Sequence, residues 1–284
     1  MNYSDTTNIR LCAIIPTYNN AGTIRQVLSD VTAYCQDVIV VNDGSTDATA
    51  AVLDGLSTAI TLVTYSKNRG KGHALIMGFR KAKEMGFTHA ITIDADGQHF
   101  ADDIPLLIKK MKEQPEGIIV GCRNLTEENM PRQNTFANRF SNFWFRLQTG
   151  IALPDTQSGF RLYNLSSLRL LSLITSRYEA ELELLVFSAW AGYPISSVNV
   201  RVYYPPKEER VSHFRPVYDF FRISVLNTIL CLGALIVRPF YFIKQAVYTI
   251  FSFLFFILDA IVFTIIGFIL LTLGGATEKH KYQS

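Results

Sequence analysis

The 284-residue chain has little excess charge and few cysteines. Lysine and arginine number 27 against 24 aspartates and glutamates, and a net charge of +3 argues against a nucleic-acid partner, which needs a dominant basic field. The four cysteines are scattered without a Cys-x-x-Cys pair or Cys/His cluster, so neither a disulfide framework nor a structural zinc site is expected. The N-terminus lacks the basic and then apolar pattern of a secretory signal, so we expect the globular part to stay in the cytoplasm.

Charge is especially scarce toward the C-terminus. The 15 residues of Ile223–Val237 are uncharged but fall short of the roughly 20 that cross a bilayer as a helix, so this segment is predicted to lie at a membrane interface. Gln245–Thr277 carries Asp259 as its single charge and is long enough to span. A buried helix of a soluble fold is the alternative, but few such helices are apolar all round for so long. We predict a globular domain over 1–215 and a membrane-associated helical tail over 216–284.

Short apolar runs alternate with helical patterns through the first 120 residues. Five runs, rich in β-branched residues and without strict polar alternation, are typical of buried strands: Leu11–Pro16, Val38–Asn42, Ile60–Tyr65, His89–Asp94 and Gly117–Gly121. Helical spacing occurs between them, in Thr23–Tyr34, Thr46–Leu56, Lys71–Met85 and Asp102–Glu113. This alternation predicts an α/β fold with a doubly wound, mostly parallel sheet of the Rossmann-like kind. Further helices are predicted over Asn138–Thr149 and Glu179–Ala191, and a further strand over Ser197–Tyr204.

Polar residues follow three of the predicted strands, at the edge where open α/β sheets bind ligands. The three segments are Pro16–Asn19, Asn42–Asp47 and Asp94–His99. Any one of them could be turn chemistry, because Asn, Asp and Gly are ordinary turn formers. Three such segments at one edge favour a binding site.

Asp94 and Asp96 are alternate residues leaving a strand, so their carboxylates can approach one cation, with Gln98 adding a neutral oxygen. Oxygen ligands favour Mg²⁺ or Mn²⁺, ions that usually bring substrate phosphates with them. A cation there would neutralise a diphosphate leaving group, which predicts glycosyl or phosphoryl transfer. The chain has no Walker-type phosphate loop, but Asn68–Gly72 combines glycines, two cations and a helix start that suit an anion.

Together these motifs resemble the family 2 inverting glycosyltransferases. The segments that carry the resemblance are Ile15–Asn19 (IPTYN), Val41–Asp47 (VNDGSTD), Asn68–Gly72 (NRGKG) and Asp94–Gln98 (DADGQ). Asp155–Arg161 (DTQSGFR) is similar to the branch of dolichyl-phosphate mannose and polyprenyl-phosphate glucose synthases. The resemblance covers about 11–204 and implies a GT-A fold, a UDP- or GDP-linked sugar donor and a polyprenyl phosphate acceptor.

Carried over position by position, the resemblance also implies the site residues. Donor contacts are implied for Pro16, Tyr18, Asn19, Asp43, Lys71, Asp94 and Arg210. Metal contacts are implied for Asp94, Asp96 and Gln98, and acceptor contacts for Arg123, Asn138, Arg139 and Ser158. Asp94, Asp96 and Arg123 would be the catalytic residues. His213 stands where the family usually has a lysine, so the late loop around Arg210 departs from the family pattern.

The acceptor decides between the functions that remain open. A polyprenyl phosphate is already anionic at neutral pH and needs orientation rather than a base. An acceptor hydroxyl needs a carboxylate base, for which Glu181 or Asp155 is a candidate. A catalytically silent nucleotide-sugar-binding membrane scaffold is a third alternative, disfavoured by the intact metal-ligand set. The leading prediction is metal-dependent sugar transfer to polyprenyl phosphate, with inversion, at the cytoplasmic face of the membrane; a homo-oligomer is left open.

Three further features have two interpretations each. Arg161, which follows Phe160 at a predicted strand edge, either belongs to the DTQSGFR motif of the resemblance or is simply an exposed ion-pair residue. The acidic helix residues Glu179, Glu181 and Glu183 either shape the acceptor side or form a solvated face. Arg123 could pair with Glu127 or Glu128 at the loop surface instead of binding the acceptor.

Overall fold

The computed structural model describes residues 9–56, 60–123, 132–168, 175–204 and 222–237. The strands in these ranges are β1 (Leu11–Thr17), β2 (Val38–Asn42), β3 (Thr61–Thr64), β4 (His89–Thr92), β5 (Ile118–Arg123), β6 (Arg161–Asn164) and β7 (Ile195–Val200). The α-helices are α1 (Ile24–Thr32), α2 (Thr49–Asp54), α3 (Lys71–Glu84), α4 (Ile104–Glu113), α5 (Arg132–Thr149), α6 (Glu179–Trp190) and α7 (222–237). Every predicted strand and helix of the first 204 residues has a counterpart, with its ends shifted by a few residues.

The seven strands form one sheet in the order β3-β2-β1-β4-β6-β5-β7. All neighbouring strands are parallel except β6, which runs antiparallel to both β4 and β5. The predicted α/β class and mostly parallel sheet are confirmed. The short strand β6 was not among the predicted strands because it has four residues and begins with an arginine, so it presents no apolar run.

Apolar side chains cover both faces of the sheet, as a doubly wound fold requires. Successive residues of β1 point to opposite faces, so Ile14 joins one core cluster and Ile15 the other. The first cluster takes its helical members from α3, α5, α6 and α7, including Phe79, Phe145 and Leu185. Helices α1, α2 and α4 supply the second cluster. Helices on both faces leave the carboxyl-terminal edge of the sheet for the polar segments.

Arg161 is buried inside the sheet rather than exposed at its edge. Its side chain has no solvent exposure, because β6 lies between β4 and β5. The guanidinium donates to the backbone carbonyl oxygens of Ser158 at 2.6 Å, Thr156 at 2.9 Å and Glu181 at 2.9 Å. The interpretation as an exposed ion-pair residue is therefore wrong. Arg161 fastens the segment before β6 to the start of α6.

Helix α7 packs onto the globular unit. Gln148 of α5 donates to the side-chain oxygen of Asn227 at 2.9 Å, and the Arg222 guanidinium donates to Glu179 of α6 at 2.8 Å. Leu226 and Leu230, on the same side of α7, are buried. The first half of the predicted interfacial segment thus contributes one of its faces to the core.

The chain divides into two compact units, Met1–Ala234 and Leu235–Ser284. In the ranges that the structure describes, no helix has both the length and the apolar character needed to cross a membrane. The predicted spanning segment, Gln245–Thr277, lies outside those ranges. The predicted boundary after residue 215 also falls outside them, and α7 belongs mostly to the first unit.

Candidate active site

The turns that follow β1 and β2 are tied together by Asn19. Its backbone has a positive φ of 56°, a conformation that asparagine tolerates better than most residues. Its side-chain oxygen accepts a hydrogen bond from the Thr46 N–H at 2.8 Å, and its own N–H donates to the Ser45 hydroxyl at 3.0 Å. Pro16 is buried and Tyr18 is half-buried nearby in the chain. Asn19 therefore shapes the turns, and donor contacts at these three positions stay predictions.

Asp43 fixes the start of α3. Its buried carboxylate accepts hydrogen bonds from the backbone N–H groups of Arg69 at 2.7 Å and Gly70 at 2.8 Å. Gly70 has a φ of +99°, and a side chain there would meet the Ser176 carbonyl oxygen at 2.6 Å. Only glycine fits this turn without strain. Asp43 thus determines where Lys71, the first residue of α3, begins, and its contact with a nucleotide base stays a prediction.

Lys71 carries the central charge of the site. Its ammonium nitrogen lies 2.7 Å from Asp94 Oδ1, 2.9 Å from Asp94 Oδ2 and 2.9 Å from Glu181 Oε2. Burial opposes the charged form, but attraction to both carboxylates raises the pKa of Lys71 above its ordinary value. A cation is unfavourable at a helix N-terminus because of the helix dipole. The two carboxylates, and not the helix, therefore hold the ammonium in place.

Gly159, within the DTQSGFR segment, lies directly against this ion pair. A side chain at 159 would come within 2.6 Å of Asp94 Oδ2 and 2.7 Å of the Lys71 nitrogen. The Gly159 carbonyl accepts a hydrogen bond from the Thr92 hydroxyl at 2.7 Å, which anchors the segment to the end of β4. The close approach of backbone to ion pair explains why the motif needs glycine there.

Asp96 is close enough to Asp94 for the two carboxylates to repel each other. Burial and the neighbouring Asp94 carboxylate raise the pKa of Asp96 to about 6. Its carboxylate accepts a hydrogen bond from the Gln98 N–H at 3.0 Å, and the Gln98 carbonyl accepts one from Tyr203 at 2.8 Å. Two carboxylates that repel each other at the end of a strand are an arrangement that a cation would relieve.

A divalent cation fits these residues only with help from a substrate. In the described part of the chain, no three His, Cys, Asp or Glu side chains form a group that could hold a metal ion. Mg²⁺ is commonly held by one or two carboxylates together with substrate phosphates and water. Asp94 and Asp96, with Gln98 next along the chain, match that pattern. Since Lys71 contacts both oxygens of Asp94, a cation would compete with the ammonium for at least one of them.

Arg123 and Asp155 form a two-pronged ion pair at the end of β5. Arg123 donates from Nε to Asp155 Oδ2 at 2.6 Å and from Nη2 to Oδ1 at 3.0 Å, while Asn138 donates to Oδ1 at 2.6 Å. Burial opposes the charge of Asp155, but Arg123 and Asn138 hold its pKa below the ordinary value. A carboxylate with no solvent exposure and a lowered pKa is a poor proton acceptor. These contacts therefore argue against Asp155 as a catalytic base.

The remaining acceptor candidates are placed unevenly. Ser158 is buried, and its hydroxyl accepts a hydrogen bond from the Phe160 N–H at 3.3 Å. Arg139 is exposed on α5. Of the four predicted acceptor residues, Arg123 and Asn138 are linked, because both donate hydrogen bonds to Asp155. Arg210, together with Glu127 and Glu128, lies outside the described residues.

The acidic residues of α6 do not form a solvated face. Glu179, Glu181 and Glu183 are 2%, 6% and 0% exposed. Glu183 accepts a hydrogen bond from the Thr175 N–H at 3.0 Å, whereas Glu179 pairs with Arg222 and Glu181 with Lys71. The interpretation as a solvated face is wrong because α6 is covered on several sides. Glu181 is held by a cation, which also makes it a poor candidate for a base.

His99 was not singled out from the sequence as a site residue. Its ring packs 5.3 Å from that of Phe160, and its Nδ1 atom is buried without a hydrogen-bond partner among the residues that the structure describes. Burial lowers the pKa of His99 to about 4, with Asp94 and Arg123 close enough to contribute opposing effects. A single histidine after a turn gives no periodic signal, so only its position directly after Gln98 could have pointed to it.

Comparison with known proteins relates this site to sugar transfer. The family model for glycosyl transferase family 2 matches residues 12–171. A UDP-N-acetylglucosamine–dolichyl-phosphate N-acetylglucosaminyltransferase of Methanococcus voltae is 32% identical over 212 residues, covering 67% of this chain and 84% of that protein. A dolichyl-phosphate β-glucosyltransferase of Drosophila melanogaster is 29% identical over 224 residues, covering 69% of this chain and 68% of that protein.

A solved structure supports the fold assignment. Glucosyl-3-phosphoglycerate synthase of Mycobacterium tuberculosis, in complex with Mn²⁺, UDP and glucosyl-3-phosphoglycerate, aligns with a TM-score of 0.53 at 17% identity, covering 80% of each chain. This likeness confirms a GT-A-like, mostly parallel mixed sheet. At 17% identity the likeness supports the fold and no conclusion about function.

We expect His99, whose Nδ1 atom is buried, to make the folded protein sensitive to acid. Its folded pKa of about 4 lies below the roughly 6.5 of an unfolded histidine, so the unfolded chain binds the extra proton first and stability falls as the pH drops from 6.5 to 4. Asp96 acts with the opposite sign, because its folded pKa is raised. Urea unfolding of His99→Gln and the wild type at pH 6.5 and 4.5 separates the two effects, since Asp96 is common to both proteins.

We expect the variant to lose less stability over this interval, by at most about 3 kcal/mol relative to the wild type. Equal losses in the two proteins would show that His99 is not held neutral by its surroundings.

Proposed function

Since the chain belongs to glycosyl transferase family 2, we propose that it transfers a sugar from a UDP- or GDP-linked donor to a polyprenyl phosphate, with inversion at the anomeric carbon. One observation carries the proposal. The segment Asp155–Arg161 contacts both charged pairs of the site, through Asp155 on Arg123 and through Gly159 on Lys71 and Asp94. A single segment thus couples a cation suited to an acceptor phosphate with the carboxylates suited to a donor diphosphate.

On the donor side, Lys71 and the carboxylates act on the leaving diphosphate. A Mg²⁺ or Mn²⁺ ion held by Asp94 and Asp96, with Gln98 as a neutral ligand, would supply charge neutralisation for that group. Lys71 adds a fixed positive charge at the N-terminus of α3, where the helix dipole also favours an anion. The pre-set positive groups stabilise charge that develops as the glycosidic bond to the diphosphate breaks.

On the acceptor side, Arg123 orients a phosphate oxygen for attack. Its pair with Asp155 uses two of the five N–H donors of a guanidinium and leaves three outside that pair. Guanidinium and phosphate form short, charge-assisted hydrogen bonds that both bind and aim the nucleophile. Direct attack of that oxygen on the anomeric carbon, opposite the leaving diphosphate, inverts the configuration. No base is needed, which agrees with the engaged states of Asp155 and Glu181.

We also propose a membrane location, because a polyprenyl phosphate acceptor is itself a membrane lipid. Exposed apolar side chains lie on α5 and α7, two helices that pack against each other: Phe143, Leu147, Val225, Ile229 and Leu232. We take these residues to mark an interaction surface, since exposed apolar side chains are typical of such surfaces, including membrane-facing ones. We place this surface at the cytoplasmic face of the membrane, where the headgroup of a polyprenyl phosphate would lie.

A donor screen tests the function. The full-length protein in detergent would receive UDP- and GDP-linked sugars with Mn²⁺, together with a short-chain polyprenyl phosphate or the matching polyprenol, and mass spectrometry would identify the lipid product. We expect the phosphate, and not the alcohol, to gain one sugar residue. Transfer to the alcohol alone would favour a hydroxyl acceptor. Donor binding without transfer to either lipid would favour the scaffold alternative, and both results contradict the proposal.

Asp96→Asn tests the metal assignment. Losing a carboxylate ligand should reduce Mn²⁺-dependent transfer by about 100-fold or more, the size seen when preorganised electrostatic stabilisation is removed. The melting temperature should hold or rise, because the substitution removes a negative charge that Asp94 repels. Asp102→Asn is the matched control, since Asp102 pairs with Arg201. Undiminished metal-dependent turnover in Asp96→Asn would end the assignment.

Arg123→Lys tests the acceptor contact while keeping a positive charge beside the buried Asp155. Loss of the forked geometry should raise the KM for polyprenyl phosphate by about 10-fold or more and leave the KM for the nucleotide sugar nearly unchanged. Arg201→Lys is the matched control, because Arg201 makes a similar forked contact with Asp103. Equal changes in both KM values would instead indicate that Arg123 acts through the fold.

A further inference from the structure

The two carboxylates that hold Lys71 come from different parts of the fold. Asp94 begins the polar segment after β4, whereas Glu181 lies in the first turn of α6. Both are within 3 Å of the ammonium nitrogen, at 2.7 Å and 2.9 Å. Asp94 belongs to the proposed metal site and must become available when a cation arrives. Glu181 is the partner that stays.

Close packing of α3 against α6 sets the Lys71–Glu181 contact. A side chain at Gly72 would collide with Ala180, so the two helices meet at their first turns without a side chain between them. The His73 N–H donates to the Ser176 carbonyl oxygen at 3.0 Å, which adds a backbone link at the same place. The backbones beside Lys71 and Glu181 are thus fixed relative to each other, and this packing brings the two side chains together.

Glu181 is also held through its backbone, and its carboxylate has few partners besides Lys71 among the described residues. Its backbone carbonyl accepts a hydrogen bond from the buried Arg161 at 2.9 Å. Its second carboxylate oxygen, Oε1, is buried and has no hydrogen-bond partner within the described ranges. A buried carboxylate needs a compensating charge, and Lys71 supplies it. Glu181 therefore depends on Lys71 as much as Lys71 depends on Glu181.

We propose that Glu181 is a positioning residue that retains the Lys71 ammonium while Asp94 exchanges it for the divalent cation carried by the donor diphosphate. The inference rests on the proposed function, because it assumes a cation at Asp94 and Asp96. Without Glu181, Lys71 would have Asp94 as its sole carboxylate partner among the contacts described, and an incoming cation would have to displace a more tightly held ammonium. With Glu181, Lys71 can release Asp94 and still remain charged beside the diphosphate.

Mn²⁺ binding tests this exchange independently of turnover. The full-length protein would be titrated with Mn²⁺ in the presence of UDP or GDP, whichever the wild type binds more tightly, and free Mn²⁺ would be followed by electron paramagnetic resonance. Glu181→Gln should raise the Mn²⁺ concentration for half-saturation about tenfold, within the range for coupled charged groups in contact. Glu179→Gln, the same change on the same helix but in contact with Arg222, should leave it unchanged.

A double-mutant cycle separates this role from a general loss of negative charge. In a Lys71→Gln background there is no ammonium to displace, so Glu181→Gln should have little further effect on Mn²⁺ binding. Glu181→Asp, which keeps the charge, should lie between Glu181→Gln and the wild type. Thermal melts of all variants check folding. If Glu181→Gln melts at a lower temperature than the wild type, Mn²⁺ binding by Glu181→Asp is compared with the wild type instead.

Two results would overturn the inference. A Glu181→Gln titration that matches Glu179→Gln, or an equal effect of Glu181→Gln with and without Lys71, excludes an action through Lys71. If the wild type itself takes up no Mn²⁺ with either nucleotide, the donor site of the proposed function fails and this inference fails with it. Normal wild-type binding with an unresponsive Glu181 overturns the inference alone.

Discussion

The half-buried ammonium of Lys71 balances two carboxylates that lie far apart in the sequence, Asp94 after β4 and Glu181 at the start of α6. A cation at a helix N-terminus is unfavourable by itself, so its position depends on Asp94 and Glu181. Other features of the site serve this contact. Asp43 fixes the turn into α3, Gly159 brings its backbone against the ion pair, and the packing of α3 on α6 sets the distance to Glu181.

The segment between Asp155 and Arg161 joins this donor-side cluster to the acceptor side. Asp155 holds Arg123, and Gly159 lies against Lys71 and Asp94. Buried Arg161 fastens the segment by three backbone carbonyl contacts. A displacement of this segment would therefore move both charged pairs together, which suits a reaction in which donor and acceptor phosphates must be aligned within bonding distance.

Sequence patterns predicted the alternating strands and the polar segments that follow them, because buried parallel strands are continuous apolar runs and their ends carry the polar residues. They could not predict the partners of the remaining charges. Whether Glu181 meets solvent or Lys71 depends on how α3 packs against α6, a contact between residues about 110 positions apart in the sequence. Likewise the sequence leaves open whether Arg161 is exposed, and the antiparallel place of β6 inside the sheet is what buries it.

The proposed exchange, in which Lys71 keeps Glu181 and gives up Asp94, is measured directly by a crystal structure of the full-length protein with Mn²⁺ and the preferred nucleoside diphosphate. We expect the Lys71–Glu181 distance to stay near its present 2.9 Å, while at least one Asp94 oxygen turns from the ammonium to the ion. Lys71 remaining on both oxygens of Asp94, with the ion bound elsewhere, would contradict it.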